Sequence, residues 1–309
     1  FALGFGVPYA VITAPLNYYG GFVLPHRYKQ SVQSFGSWLF DQAKGAAISG
    51  VLGLIILEII YALMGLAPQT WWLWAGGVML LFTVLLSSLA PVLIFPLFYK
   101  YKPLDNEALV TRLTDLAERT GTQVQGVYAF DMSSKTVAAN AAVMGLGRTR
   151  RIVLGDTLVE KFTIDEIETV MAHELGHHVH HDLTLGIIVQ SVLTLAGLWL
   201  ADVIIRWGVA AFGYYGLTDP ATLPLFIVAF TIFGLVTMPL GNLWSRWREV
   251  KADAYALETT GNPAAFISAM TRLANQNLAE AEPPAWVEFL LHSHPSISKR
   301  VAMAQSFRV

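Results

Sequence analysis

Five stretches of this sequence are too long and too apolar to be hidden inside a small water-soluble domain. They cover residues 2–24, 46–66, 71 to about 98, 183 to about 207 and 223 to about 244. A helix rises about 1.5 Å per residue, so about 20 apolar residues bridge the hydrocarbon core of a bilayer. Every stretch reaches that length. The composition agrees: 54% of the 309 residues are hydrophobic and 14% are charged, where soluble domains carry about 25% charged residues. The sequence therefore predicts a mainly α-helical, polytopic membrane protein whose first partner is the lipid bilayer. A formal net charge of -2 gives no reason to expect nucleic acid as a partner.

The spans divide the chain. We expect an N-terminal membrane region over residues 1–99, a soluble-looking region over 100–182, a membrane hairpin over 183–248 and a helical C-terminal region over 249–309. Trp71, Trp72 and Trp74 read as an interfacial belt opening the third span, which Pro91 and Pro96 kink or end. Glu58 lies within the second span, with no partner identifiable. Residues 105–120 carry the period of an amphipathic helix, and 124–130, 136–144 and 151–154 read as short strands. The basic turn 145–150 between the last two reads as a solvated hairpin tip rather than a phosphate site. Lys and Arg concentrate in 26–44, 99–182 and 246–251, whereas 67–70 and 208–224 have none. That asymmetry places the three basic regions on the cytoplasmic side, with Arg206 a mild exception at a helix end.

One stretch carries chemistry. Residues 165–182 open with acids and close with histidines, as suits a helix dipole, and contain His173-Glu174-Leu175-Gly176-His177. Residues four apart on a helix stand about 40° apart around its axis, one turn up. His173 and His177 can thus offer two nitrogens to one metal ion, while Glu174 projects toward the place where a water bound to it would sit. This is the mechanical content of a His-Glu-x-x-His motif: two zinc ligands and a general base on one rigid element. The chain has no cysteine, so disulfides are excluded. Structural zinc sites usually contain cysteine, and a site limited to His and carboxylate leans catalytic. His178, His180 and His181 read as solvated or as neighbours of the ligands; His181 shares the broad face of His177.

A catalytic zinc takes three protein ligands and a water. Position 183, six residues beyond His177, is Leu, which rules out a third histidine at that spacing. Asp202 and Asp219 lie near the far end of the membrane hairpin, about 30 Å away by the length of a span. Glu249 is the first glutamate after Glu174 and stands where the chain has returned to the starting side. Asp253, one turn further, can accept the other ring N–H of a zinc-bound histidine. Residues 263–280 read as an amphipathic helix, and Ser293-His294-Pro295-Ser296 as a turn capping a last helix. His294 reads equally as a surface turn histidine and as a donor to a developing oxyanion.

These residues also resemble a known family. Asn140-Ala, Arg150-Arg-Ile-Val-Leu-Gly-Asp-Thr-Leu158, Ala172-His-Glu-Leu-Gly-His177, Ser245-Arg-x-x-Glu249-x-x-Ala-Asp253 and Ser293-His-Pro295 with Arg300 occur in the order of the M48 metallopeptidases. The connector from Gly21 to Lys44 is more similar to Ste24-type CAAX proteases than to the shorter HtpX type. The resemblance implies a small α+β zincin-like peptidase region at the cytoplasmic face. It implies one zinc on His173, His177 and Glu249, Glu174 as catalytic acid/base, an edge strand near Asn140 holding substrate backbone, and His294 and Arg300 near the site. The substrates it implies are prenylated CAAX peptides or membrane-associated polypeptides. Ste24-type chains have seven spans against the five counted, so two are expected before Phe1, a residue already inside an apolar run. Asp182 stands where such chains often carry another residue, and the resemblance assigns it no role. The rival reading is a metal-binding membrane transporter or scaffold without proteolysis. A transporter would favour paired, Gly/Pro-broken spans with internal repeats, and the sequence shows no convincing repeat.

Overall fold

The structure, a computed structural model, describes residues 2–145 and 150–308. Its helices are α1 (Ala2–Tyr18), α2 (Leu24–Arg27), α3 (Phe35–Leu66), α4 (Trp71–Leu89), α5 (Glu107–Arg119), α6 (Asp156–Lys161), α7 (Ile164–Val179), α8 (Asp182–Phe212), α9 (Leu223–Thr260), α10 (Pro263–Asn277), α11 (Ala285–Leu291) and α12 (Ile297–Ser306). Four short strands join them: β1 (Tyr101–Pro103), β2 (Val127–Phe130), β3 (Ala141–Met144) and β4 (Arg151–Gly155). The protein is thus a mainly α-helical, multi-pass membrane protein with a small sheet. Among the described residues, four helices are long and apolar enough to cross a bilayer: Phe35–Leu66, Trp71–Leu97, Asp182–Phe212 and Pro220–Thr260. The first expected span starts as α1, only 17 residues long, and continues through a π-helical segment, Tyr19–Val23, into α2. Helix α3 begins earlier than residue 46 because Ser34 caps it, accepting from the Ser37 N–H; much of the expected connector is therefore helical.

The chain forms two compact units. One comprises Phe1–Tyr28, Gln33–Leu86 and Leu185–Thr237. Its core gathers Ile60, Met64, Trp71, Ala75, Leu198 and Ile205. Trp71 lies there fully buried and donates its indole N–H to Asp202 at 2.5 Å, and Arg206 pairs with the other carboxylate oxygen at 2.8 Å. A charge inside a span is tolerated when it is paired in this way. Asp202 therefore serves the helix packing, as its remoteness in sequence suggests, and Glu58 lies exposed on α3.

The other unit comprises Lys29–Val32, Ser87–Thr184 and Met238–Val309. Its sheet has the order β1-β2-β4-β3, with β2 and β4 parallel and both outer pairs antiparallel. Strand β3 is therefore an edge. Leu109, Leu113 and Leu116 of α5, Ile152 and Leu154 of β4, Ile167, Met171 and Leu175 of α7, and Phe266 and Met270 of α10 share one core. Helix α7 starts on a capping box: the Thr163 hydroxyl accepts from the Glu166 N–H, and the Glu166 carboxylate accepts from the Thr163 N–H. Glu168 on α7 takes ion pairs from Arg112 and Arg119 of α5 at 2.7 and 2.9 Å.

Three expectations are corrected in this unit. The strand expected over 136–144 shrinks to Ala141–Met144. Residues 136 and 137 spend their backbone groups elsewhere: Thr136 bridges Ser31, and the Val137 N–H bonds the Gln30 carbonyl at 3.2 Å. A strand at 101–103 was not anticipated; three residues carry too little periodicity to announce one. The stretch 165–182 is also not one helix. Helix α7 stops at Val179, His181 takes a left-handed conformation (φ 55°), and α8 begins at Asp182. Of the expected basic turn, residues 146–149 lie outside the described residues.

Candidate active site

All eight residues expected at the site fall in the second unit, on helices α7, α9 and α12, at the residue before β3 and in the turn before α12. Helix α7 supplies His173, Glu174 and His177, and α9 supplies Glu249 and Asp253. The two helices meet at Gly176, where a Cβ would stand 3.2 Å from the Ala252 Cα and 3.2 Å from the Tyr255 ring. A side chain at this position would press the backbones apart by a few tenths of an ångström, and its absence lets Glu249 lie against both histidines.

The ligand geometry follows. His173 Nε2 and His177 Nε2 face each other at 3.2 Å. Glu249 Oε2 lies 3.4 Å from His173 Nε2, and Oε1 lies 3.5 Å from His177 Nε2. Zinc–nitrogen and zinc–oxygen bonds of about 2.0–2.1 Å at tetrahedral angles put neighbouring ligand atoms about 3.3 Å apart. The observed separations match. The chemistry of the donors fits too. Each Nδ1 donates to a carboxylate, His173 to Asp253 at 2.8 Å and His177 to Asp182 at 2.7 Å. With the N–H on Nδ1, both Nε2 atoms carry lone pairs aimed at one point. Glu249 Oε2 is buried with no hydrogen-bond partner among the described residues. A cation would satisfy all three groups. Burial opposes charge on His173, yet the hydrogen bond to Asp253 and the nearby Glu249 carboxylate outweigh it and hold the imidazole up to about 9.

Glu174 stands outside this ligand set and lines a cavity of about 610 Å³ together with Asn140, His173, Glu249, His294 and Arg300. Burial pushes its carboxyl above the ordinary range, against the lowering effect of the neighbouring histidines. A smaller cavity of about 260 Å³ opens on its other side, walled by Pro91, Val143, Met144, His177, His178 and Leu183. Glu174 thus borders both, and edge strand β3 runs from the larger cavity at Ala141 to the smaller one at Met144. Asn140 is exposed at the start of that strand; its side-chain oxygen accepts from the Ala141 N–H. His294 reaches to 3.3 Å from Glu249 Oε1 while its side chain stays 60% exposed. Arg300, from α12, makes two bonds to Asp253, at 2.8 and 2.5 Å.

The remaining histidines stay apart. His180 packs its ring edge-on against Tyr255, and His178 Nε2 reaches the Val143 carbonyl at 3.5 Å. Sequence reasoning missed Asp182, Arg248 and the role of Gly176. For Asp182 the usable signal was the His-rich stretch 177–182, interrupted only by Val179, where a helix break was as plausible as continuity. Gly176 was visible as a glycine in the middle of a predicted helix, where it costs about 1 kcal/mol against alanine and calls for a packing reason.

Comparison with known proteins bears on both units. Residues 103–308 match the model of peptidase family M48, and residues 1–100 match that of the CAAX prenyl protease N-terminal region, described as five membrane helices. An uncharacterized metalloprotease of Bacillus subtilis, YhfN, is 33% identical over 96% of this chain and 70% of its own length. The CAAX prenyl protease 1 of Saccharomyces cerevisiae is 29% identical over 94% of this chain and 68% of its own, and a probable CAAX prenyl protease 1 of Schizosaccharomyces pombe 28% identical over 97% and 64%. The crystal structure of S. mikatae Ste24p superposes with a TM-score of 0.86 at 25% identity, covering 96% of this chain and 73% of that one.

Proposed function

The chain belongs to peptidase family M48 as an integral membrane metallopeptidase, and from that premise we propose how it works: zinc is held by His173, His177 and Glu249, and Glu174 moves the proton in peptide-bond hydrolysis. The observation that carries this reading is the spacing of the three donor groups, 3.2, 3.4 and 3.5 Å, around one point beside a non-ligand carboxylate. When bound, zinc acts as a Lewis acid and brings the pKa of a water toward 7. The protein's own residues do the rest. Glu174, with its raised proton affinity, takes a proton from the attacking water and passes it to the leaving amine. His294 lines the cavity and donates to the oxygen that gains charge at the reacting carbonyl. Arg300 locks Asp253, which fixes the ring of His173.

Asn140 and strand β3 hold the substrate as an added strand. Residue 140 turns its carbonyl inward to the Gly155 N–H at 2.8 Å, so alternation turns the backbone groups of Ala141 and Val143 outward. An antiparallel substrate then enters with its N-terminal side at the smaller cavity and its C-terminal side at the larger. We assign as substrates prenylated CAAX-type or membrane-associated polypeptides, in line with the names of the yeast relatives, and place the site on the cytoplasmic side.

The decisive variant is Glu174→Gln, which keeps shape and removes the base. Zinc content should be retained while cleavage of a farnesylated CAAX peptide falls roughly 10²–10⁴-fold. Glu249→Gln should lose metal and activity together. A Glu174→Gln protein as active as the parent would refute the assignment of Glu174. Cleavage of an unmodified membrane-protein fragment alone would keep the peptidase and discard the CAAX specificity.

A further inference from the structure

The two histidines are supported in parallel ways. Asp253, bonded to His173 Nδ1, is gripped by Arg300. Asp182 bonds His177 Nδ1 through Oδ2, and its Oδ1 pairs with Arg248. Arg248 also donates to the His180 carbonyl at 2.9 Å, and it directly precedes Glu249. The Arg248 and Asp182 side chains are only 8% and 13% exposed. One carboxylate–guanidinium pair therefore touches the second histidine, the turn after it and the helix bearing the third ligand.

From this geometry we propose that Asp182, held by Arg248, is a positioning residue for His177. The proposal rests on the metal reading above and goes beyond it. A carboxylate on Nδ1 fixes the ring's tautomer and orientation and raises the basicity of Nε2. The backbone supports the same assignment. His181 adopts a left-handed conformation without being glycine, which a residue with a Cβ disfavours. That conformation ends the α7 register and swings the first residue of α8 back toward His177. Continued helix would put Asp182 about 140° around the axis from His177, beyond reach of its ring. Arg248 cannot leave without stranding a carboxylate, and removing one partner of a buried pair is costly for that reason. The strain at His181 is thus tied to the contact it makes possible.

The test uses the full chain in detergent with cobalt in place of zinc. Affinity is read by competition with a chelator and ligand geometry by the visible absorption of Co²⁺. Asp182→Ala should lower cobalt affinity 10–100-fold and alter the spectrum, with KM for a peptide substrate little changed. Arg248→Met should shift both in the same direction by less. If Asp182→Ala does not fold, Asp182→Asn serves: its carboxamide cannot satisfy His177 and Arg248 together, so affinity should again fall. A folded Asp182→Ala or Asp182→Asn protein with parental affinity and spectrum would overturn the proposal. His177→Ala is the control for the underlying reading. If it leaves the cobalt spectrum intact, the ligand set itself is wrong, whatever Asp182 does.

Discussion

Gly176 decides how close helix α7 comes to α9. A methyl group there would press on the Ala252 Cα, which is backbone and cannot rotate away. Gly176→Ala should therefore push α9 outward by a few tenths of an ångström, even though alanine is the better helix former. Overpacking of this kind costs about 1–3 kcal/mol. We expect a lower melting temperature and a metal affinity reduced by about tenfold, measured by chelator competition; unchanged affinity would show that the close approach is unnecessary. At this scale much was legible in the sequence. His173, Glu174 and His177 follow from spacing on one helix, and Glu249 from the direction of the chain. Gly176 and Asp182 were not legible in the same way, since their partners lie 76 and 66 residues further on, at Ala252 and Arg248. No local pattern encodes such a pair.

Strand β3 shows where element-level reading succeeds and where it stops. The apolar run ending at Met144 marked a strand, but its first half is claimed by the segment at residues 30–32 and by the Gln276 side chain, which donates to the Val137 carbonyl. Competition for backbone partners is a tertiary fact, invisible in β-propensity. The helices fared better. Apolar length and period located α5, α9 and α10, and the errors lie at helix ends, as at the start of α3, where the capping residue Ser34 sets the boundary. The unpaired side of β3 leads to a prediction. Val143→Pro removes an N–H that points away from β4, and proline is tolerated on an edge. The sheet should survive and metal affinity should stay unchanged. Peptide kcat/KM should fall on the order of tenfold, the worth of one hydrogen bond. An unaltered kcat/KM would mean that substrate does not pair at this position.

For the whole molecule, the fold class was written in the apolar runs, and the distribution of Lys and Arg proposes an orientation. The orientation can be tested directly because the chain has no cysteine of its own. Single cysteines at Ser134 and Glu282, both exposed, should react with a membrane-impermeant thiol reagent from the cytoplasmic side. Cysteines at Gln69 and Tyr215, exposed as well, should react from the opposite side. Labelling of Ser134→Cys and Glu282→Cys from different sides would break the topology on which the third ligand was first inferred. The four-stranded sheet, by contrast, could not be assembled from sequence. Its order depends on β1 pairing with β2 and on β4 lying between β2 and β3, and three- to five-residue strands leave that order open.

On the proposed ligand set, the donors also arrive on a schedule. His173 and His177 leave the ribosome first, and Glu249 follows only after the apolar stretches of α8 and α9 have been made. A chain halted between them carries two histidines and a base but no third donor. Hydrolytic competence is therefore withheld from a nascent or half-inserted polypeptide and conferred by completing the hairpin. For a membrane peptidase, the order of residues along the chain then acts as a safety interlock.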